Sequence, residues 1–139
     1  MKIQIKKVVR PLDLADFAPE YDAVIWIWVN PTRAKIMERE EIRGSMELAF
    51  KSLKETKEDD VDKLKKIAEK ISENNTRFYG WLAEIWSQGK ESETHWTQEE
   101  VKVLAEALIE DEPALWTYIQ TRTFEMFADH RESHKKKLN

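Results

Sequence analysis

The chain of 139 residues has no cysteine, only three glycines and four prolines, and no long apolar run. The absence of cysteine excludes disulfides, thiolate metal sites and a cysteine nucleophile. So few glycines and prolines disfavour an all-β sandwich, which needs many tight turns, and a glycine-rich phosphate-binding loop. The longest apolar run, residues 23–29, is far shorter than the roughly 20 residues of a membrane helix. The first seven residues lack the apolar centre of a signal peptide, so we expect a cytoplasmic protein.

The composition is otherwise that of a folded, charge-rich domain. Charged residues make up 36% of the chain, and the formal net charge is −4. This balance gives no general attraction to nucleic acid or to an anionic membrane, so we expect neither as a partner. Six tryptophans, five phenylalanines and three tyrosines supply large side chains to bury, which argues against disorder. The length corresponds to a single domain, residues 1–139.

A first short strand is predicted at residues 2–9. Polar and apolar side chains alternate through most of this segment, which places Ile3 and Ile5 on one face. Pro11 is expected to end the strand, because proline lacks the backbone N–H that a sheet uses. The β element and its connector are therefore assigned to residues 1–30.

A second strand is predicted at residues 23–29, which are mostly β-branched or aromatic and too few for a helix. Trp26 and Trp28 share one face of this strand. The opposite face carries Ile25, Ile27 and Val29. A strand that is apolar on both faces must be covered on both, by helices of its own chain or by another molecule.

Residues 31–89 are predicted to form a pair of helices. Asn30 is the expected N-cap of the first helix and Pro31 its first residue. Asp59 or Asp60 can cap the second helix. The apolar residues of this second helix recur every three or four positions: Val61, Leu64, Ile67, Ala68, Ile71, Phe78, Trp81, Leu82 and Ile85.

Two polar features interrupt or end the second helix. Asn74 and Asn75 fall within its apolar seam, and we expect exposure or a small bend there. The alternative is a buried contact that sets the register with a partner helix. Gly89 follows the last apolar residue and suits a helix C-cap.

Residues 97–134 are predicted to form a helical hairpin, followed by a basic tail at 135–139. Thr97 as N-cap and Glu100 three residues later form a capping box. Pro113 is expected to begin the last helix. The predicted fold class is therefore α+β and predominantly helical, with a two-stranded N-terminal element followed by four helices.

The chain contains no sequence pattern for catalysis, a cofactor or a metal. His130 and His134 are four residues apart and near Asp129, but nothing nominates the further ligands that a metal needs. Carboxylates are plentiful, yet they lie on charge-mixed helix faces or at helix N-termini, where the helix dipole explains them. We therefore expect no catalytic, cofactor-binding or metal-binding residue and no enzyme. A hydrolase that uses clustered carboxylates is the weakest alternative.

Tryptophan is the unusual feature of the composition, and it is a residue type enriched at protein interfaces. Trp26 and Trp28, on one face of a short strand, are candidates for binding a protein partner. Trp86 and Trp96 flank a polar loop and are candidates too. The alternative for this second pair is that the two rings pack on each other across the loop.

The short connection between the last two helices also permits a helix-turn-helix interpretation. The last helix offers side chains that could read bases: Thr117, Tyr118, Gln120, Thr121 and Arg122. The surrounding charge is acidic, which favours an ordinary helical hairpin. A small helical DNA-binding or regulatory protein is therefore the alternative function, and the basic tail leaves it open.

Five stretches carry a family resemblance, and they span most of the chain: residues 15–21, 24–31, 81–89, 95–97 and 111–116. Their order is a short β segment, an Asn-Pro helix start, a Trp-bearing helix and a helical hairpin. This arrangement resembles the small proteins encoded in structural clusters of tailed phages and prophages, of the tail assembly chaperone type.

The resemblance implies a non-enzymatic protein of the host-cell cytoplasm that takes part in tail assembly. Such proteins bind the long helical tape measure protein and keep it soluble while tail tube subunits assemble around it. The implied partner is thus a tape measure or tail tube protein, with homo-oligomerisation open. Exposed apolar surface surrounded by charge would suit this role, and an acidic surface would suit a basic client.

Overall fold

The computed structural model describes residues 3, 5–90 and 94–138. Within them, four helices and a short three-stranded antiparallel sheet make the fold α+β and mainly helical, as predicted, with 68% of residues in helices. The elements in order are β1 (Val9–Asp13), a 3-10 turn (Leu14–Asp16), β2 (Val24–Trp28), α1 (Arg33–Glu55), α2 (Val61–Ile85), β3 (Trp86–Ser87), α3 (Gln98–Asp111) and α4 (Pro113–Leu138).

Strand β1 lies further along the chain than the strand predicted at residues 2–9. Ile3 and Ile5 are 85% and 86% exposed, so they do not form its inner face. Leu12 and Leu14 supply the buried side chains instead. The prediction was wrong because alternation alone does not say which of two neighbouring apolar segments pairs with β2.

Pro11 lies inside β1 and does not end it. Backbone bonds at the two ends of the pairing run from Leu14 N to Ala23 O (3.0 Å) and from Val29 N to Val8 O (2.9 Å). Since alternate residues of an antiparallel strand face its neighbour, even-numbered residues of β1 bond to β2 and the nitrogen of Pro11 points away. The sheet order β1-β2-β3 makes β1 an edge strand, where a proline removes no ladder bond.

The two predicted faces of β2 are confirmed. Ile25, Ile27 and Val29 are buried in the core. On the opposite face, Trp26 and Trp28 are half-buried. One face of the sheet therefore packs on the helices, and the other keeps part of its aromatic surface open.

Strand β3 was not predicted. Trp86 and Ser87 pair with Ile27 and Trp26 directly after the end of α2. Two residues are too few to show the alternation of polar and apolar side chains that predicts a strand, so β3 is recognised only from its pairing with β2. Because the backbone is already extended at Trp86, Gly89 is not the C-cap that was expected for this helix.

Helix α1 begins two residues later than predicted, and Asn30 is not its N-cap. Thr32 takes that place, and its hydroxyl accepts a hydrogen bond from Lys35 N at 3.2 Å. Asn30 holds the N-terminal segment instead. Its Oδ1 accepts from Val8 N at 2.7 Å, and its Nδ2 donates to Lys6 O at 2.8 Å.

Helices α1 and α2 form a long antiparallel hairpin. Asp60 caps α2, as one of the two alternatives predicted, by accepting from Lys63 N at 3.3 Å. Asn75 is exposed, but Asn74 is fully buried and donates from Nδ2 to Ser45 Oγ of α1 at 3.0 Å. The expected exposure of Asn74 was therefore wrong, and the alternative of a buried contact between helices is confirmed.

Helices α3 and α4 form the predicted C-terminal hairpin. The capping box is confirmed: Thr97 Oγ1 accepts from Glu100 N at 3.2 Å, and Glu100 Oε1 accepts from Thr97 N at 2.9 Å. Pro113 is the first residue of α4, as expected. Residues 135–138 continue α4 rather than forming a separate tail, and residue 139 lies outside the described residues.

The main core lies between the inner face of the sheet and the four helices. From α1 and α2 its buried members are Ile42 and side chains within residues 79–85. The distal part of the hairpin, residues 43–77, adds no member to this core and extends beyond it. None of the helices in the described residues is both long and apolar enough to cross a membrane.

Candidate functional site

A groove of about 390 Å³ lies where the distal part of the hairpin meets α4. We call it the α1–α2–α4 groove. Its lining residues are Arg39, Ile42, Arg43, Met46, Glu47, Phe50, Asn75, Phe78 and Gln120. The groove is thus formed by three helices and lies at the outer limit of the core.

Apolar side chains at helical spacing form the floor of this groove. Ile42, Met46 and Phe50 recur every four residues along one side of α1, and Phe78 contributes from α2. Burial decreases along the stripe: Ile42 is buried, Met46 is half-buried and Phe50 is 46% exposed. The stripe therefore begins in the core and continues onto open surface, which is the geometry that accepts another apolar side chain.

Charged side chains of α1 border the groove, and their neighbours hold them in place. The Arg39 guanidinium lies 3.8 Å from the centroid of the Phe124 ring. Arg43 donates to Glu40 at 2.8 and 3.0 Å and to Glu47 at 2.5 Å. Hydrogen bonds from Arg43 and then Arg39 lower the pKa of the Glu40 carboxyl, and Glu40 in turn raises the pKa of Arg43. The rim therefore stays charged, with both signs present.

A second surface is the outer face of the sheet, where two predicted partner-binding residues, Trp26 and Trp28, lie on the same side of β2. Both are half-buried. The Lys7 ammonium lies 4.5 Å from the centroid of the Trp28 ring and 3.1 Å from His95 Nε2. This aromatic surface with a cation over it is accessible in part to another molecule.

The other predicted pair, Trp86 and Trp96, is placed differently. Trp86 has 0% of its surface exposed, so it offers no area to a partner and its assignment as a contact residue is corrected. Trp96 is half-buried, and its indole N–H donates to Ser87 O at 3.1 Å. The two rings meet edge to face, with centroids 5.3 Å apart. The alternative that they pack on each other is confirmed.

The helix-turn-helix interpretation depends on the polar residues of α4, and several of them have contacts inside the chain. The Tyr118 ring packs on Phe17 with centroids 5.2 Å apart. Gln120 donates to Trp116 O at 3.3 Å, and Arg122 donates to a carboxylate of the same helix, Asp129, at 3.0 Å. Thr117 and Thr121 are exposed. This face of α4 therefore presents fewer free side chains for reading bases than the sequence suggested.

The titratable groups with shifted pKa values have structural causes. Burial and then the nearby Glu106 carboxylate raise the pKa of Tyr79. The backbone N–H of Thr97 and then its side chain lower the pKa of Glu100, the residue that completes the capping box of α3. The rings of His130 and His134 stack with centroids 5.9 Å apart. Among the described residues, no group of three or more histidine, aspartate or glutamate side chains is placed to hold a metal ion.

Sequence reasoning missed the groove. Met46, Phe50 and Phe78 belong to apolar stripes at helical spacing, and such stripes usually indicate a core. The feature of the sequence that could have indicated the groove is that the apolar residues of α1 continue for two turns beyond Ile42 within a strongly charged helix. In the structure the outer end of this stripe is exposed at Phe50, and exposed apolar patches are typical of interaction sites.

Neither a protein-family model, nor a curated protein, nor a solved structure matches this chain. The function is therefore proposed below from the geometry of the groove and of the sheet face.

Proposed function

We propose that this protein is a non-enzymatic binding protein that holds an amphipathic helix of another protein in the α1–α2–α4 groove. The observation that carries the proposal is the apolar stripe Ile42, Met46 and Phe50, which leaves the core and ends in an open groove. A helix docks in such a groove through apolar side chains spaced three or four residues apart.

The composition of the groove suits a helical client. Each apolar anchor that a client buries contributes on the order of 1.5–3 kcal/mol before the cost of association. Met46 is unbranched and adapts its shape to different side chains. The mixed-sign rim of Arg39, Arg43 and Glu47 keeps the free groove hydrated and suits a client with polar residues beside its apolar stripe.

The more specific proposal is a tail assembly chaperone that binds the tape measure protein of a tailed phage. It rests on the sequence resemblance, and the groove is compatible with it. The resemblance implies a client that is long and helical and that has to be kept soluble while tube subunits assemble around it. A protein that covers exposed apolar surface of such a client limits its aggregation. Trp26 and Trp28 would then provide a second contact area on the same client or on a tail tube subunit.

Co-expression with the products of neighbouring genes tests this proposal. We expect a long helical protein to co-elute in stoichiometric amount with the tagged chain, as identified by mass spectrometry. The double variant Met46→Asp/Phe50→Asp should lose this client. The matched control is Val103→Asp/Ile109→Asp, which places the same charges at two exposed apolar residues of α3.

The control variant should retain the client, because neither of its positions lines the groove. Equal loss in both variants, or no loss in either, would overturn the groove assignment. Co-elution of nucleic acid alone, released by moderate salt, would overturn the chaperone proposal and favour the regulatory alternative. Circular dichroism of each variant verifies that the helices have formed.

A further inference from the structure

A cleft of about 500 Å³ separates the N-terminal segment from the last turns of α4. We call it the C-terminal cleft. Its lining residues are Ile5, Lys6, Val8, Asn30, His130, Arg131, His134 and Lys135. It lies apart from the α1–α2–α4 groove, with which it shares no lining residue.

Two distant parts of the sequence form this cleft, and a specific contact holds one of them in place. Asn30 accepts a hydrogen bond from Val8 N and donates one to Lys6 O. The backbone that carries the Lys6 side chain is therefore anchored to Asn30, two residues after the end of β2. The other wall is helical and presents His130 and His134 four residues apart, with their rings stacked.

The charge of the cleft is of one sign. Lys6, Arg131 and Lys135 are cations, and of the described residues that line the cleft none is acidic. The acids close to it in sequence are engaged: Asp129 accepts from Arg122 at 3.0 Å, and Glu132 lies 3.8 Å from Lys135. In a chain with a formal net charge of −4, this is a local concentration of positive charge.

A helix dipole accounts for part of this arrangement. Basic side chains such as Arg131 and Lys135 are favourable near the C-terminal end of any helix. The dipole does not account for Lys6, which comes from another part of the chain, nor for a cavity between the two walls. What remains to be explained is that cations from two distant parts of the chain line the same cavity.

We infer that the C-terminal cleft binds a phosphate-bearing anion. Arginine offers a planar fork that matches two phosphate oxygens, lysine adds a compact charge, and imidazole N–H groups complete the set of donors. A bound anion would also offset the positive charge that Lys6 and Arg131 bring to the cleft, beside Lys135, which already lies 3.8 Å from Glu132. The phosphate could belong to a small phosphorylated molecule or to a nucleic-acid backbone, which share this chemistry. This site is independent of the proposed groove function.

The test follows the ring signals of the histidines by NMR while sodium pyrophosphate is added to the full chain. We expect the signals of His130 and His134 to move in a saturable way, whereas sodium chloride at equal ionic strength does not reproduce the change. His95 is the internal control, because it lies beside Lys7 on the sheet face and does not line the cleft.

Charge variants locate the site. Lys6→Gln/Arg131→Gln should weaken pyrophosphate binding about tenfold or more, since two of three cations are lost. The matched control, Lys51→Gln/Lys54→Gln, removes the same charge from exposed positions of α1 and should bind as the parent does. An equal loss in the control would mean that net charge, not the cleft, attracts the anion, and would overturn the inference.

A competition experiment distinguishes the two sources of phosphate. A short DNA duplex that displaces pyrophosphate, with an affinity that falls steeply with salt, would indicate a nucleic-acid backbone as the ligand. Pyrophosphate binding that the duplex does not disturb would indicate a small phosphorylated molecule. Absence of any saturable movement of the His130 and His134 signals overturns the proposal. The groove variant Met46→Asp/Phe50→Asp should bind pyrophosphate normally, so the two proposals can fail separately.

Discussion

Replacement of Asn74 by leucine tests how the long hairpin is held together. Asn74 is 0% exposed, donates one hydrogen bond to Ser45 Oγ at 3.0 Å, and has no partner for its Oδ1 among the described residues. A buried acceptor without a partner costs about 1–3 kcal/mol, whereas the single hydrogen bond contributes about 0.5–1.5 kcal/mol. The asparagine side chain is therefore expected to lower the free energy of unfolding.

Leucine should stabilise the folded chain by about 1 kcal/mol. Apolar burial and better helix propensity favour the substitution, and crowding from the larger side chain opposes it with a cost of about 1–3 kcal/mol. The matched control is Asn75→Leu at the adjacent exposed position, which should change stability by less than about 0.5 kcal/mol. Both are measured by urea denaturation followed by circular dichroism.

Two results would refute this reasoning for Asn74. A loss of more than about 1 kcal/mol with an unchanged denaturant slope would mean that the amide oxygen is satisfied in solution, for instance by water. A clear fall in the slope would mean that the asparagine keeps the two helices in one register, because the leucine variant would then populate alternative packings. Either outcome would change the role assigned to the contact with Ser45.

Three further predictions concern single side chains. Thr97→Ala should destabilise the fold by about 1 kcal/mol in thermal or urea unfolding, because it removes the N-cap acceptor of α3. Glu100→Gln should reduce stability near pH 7 and progressively less as the pH is lowered. Hydrogen bonds from Thr97 lower the pKa of the Glu100 carboxyl from 4.5 in the folded state, so its contribution is present above that value and is lost as the pH falls through the folded pKa. Unfolding curves over a series of pH values from 7 downward test the direction. Trp86→Ala should cost about 3–5 kcal/mol, whereas Trp26→Ala should cost much less, because only Trp86 is fully buried; comparable losses in urea unfolding would contradict the assignment.

Local signals in the sequence were sufficient for several elements. The faces of β2 follow from strict alternation, since successive side chains of a strand point in opposite directions. The Thr97–Glu100 capping box is a contact between residues three apart, so it needs no tertiary information. The apolar seam that ends at Ile85 correctly placed Trp81, Leu82 and Ile85 in the core, whereas Val61 at its start is 69% exposed. In each case the interacting groups are neighbours along the chain.

Elements that depend on a distant partner could not be read in this way. Strand β1 is placed by its pairing with β2, and the two-residue strand β3 exists only through its bonds to Trp26 and Ile27. Asn74 reads as a polar interruption until Ser45 is seen opposite it. For Trp86 and Trp96 the sequence left open both an interface and packing of one ring on the other, and their edge-to-face contact decides for packing.

At the candidate sites, too, some features follow from the sequence and others only from the tertiary structure. The sequence by itself determined the helical class, the charge of the helix surfaces and the aromatic face of β2, because periodicity and residue type are properties of the chain alone. The tertiary structure decided that the stripe of Ile42, Met46 and Phe50 opens into a groove, and that Lys6 lies across a cleft from Arg131. The physical reason is that the spacing of apolar residues determines which of them share one side of a helix, whereas their burial depends on which other element covers that side.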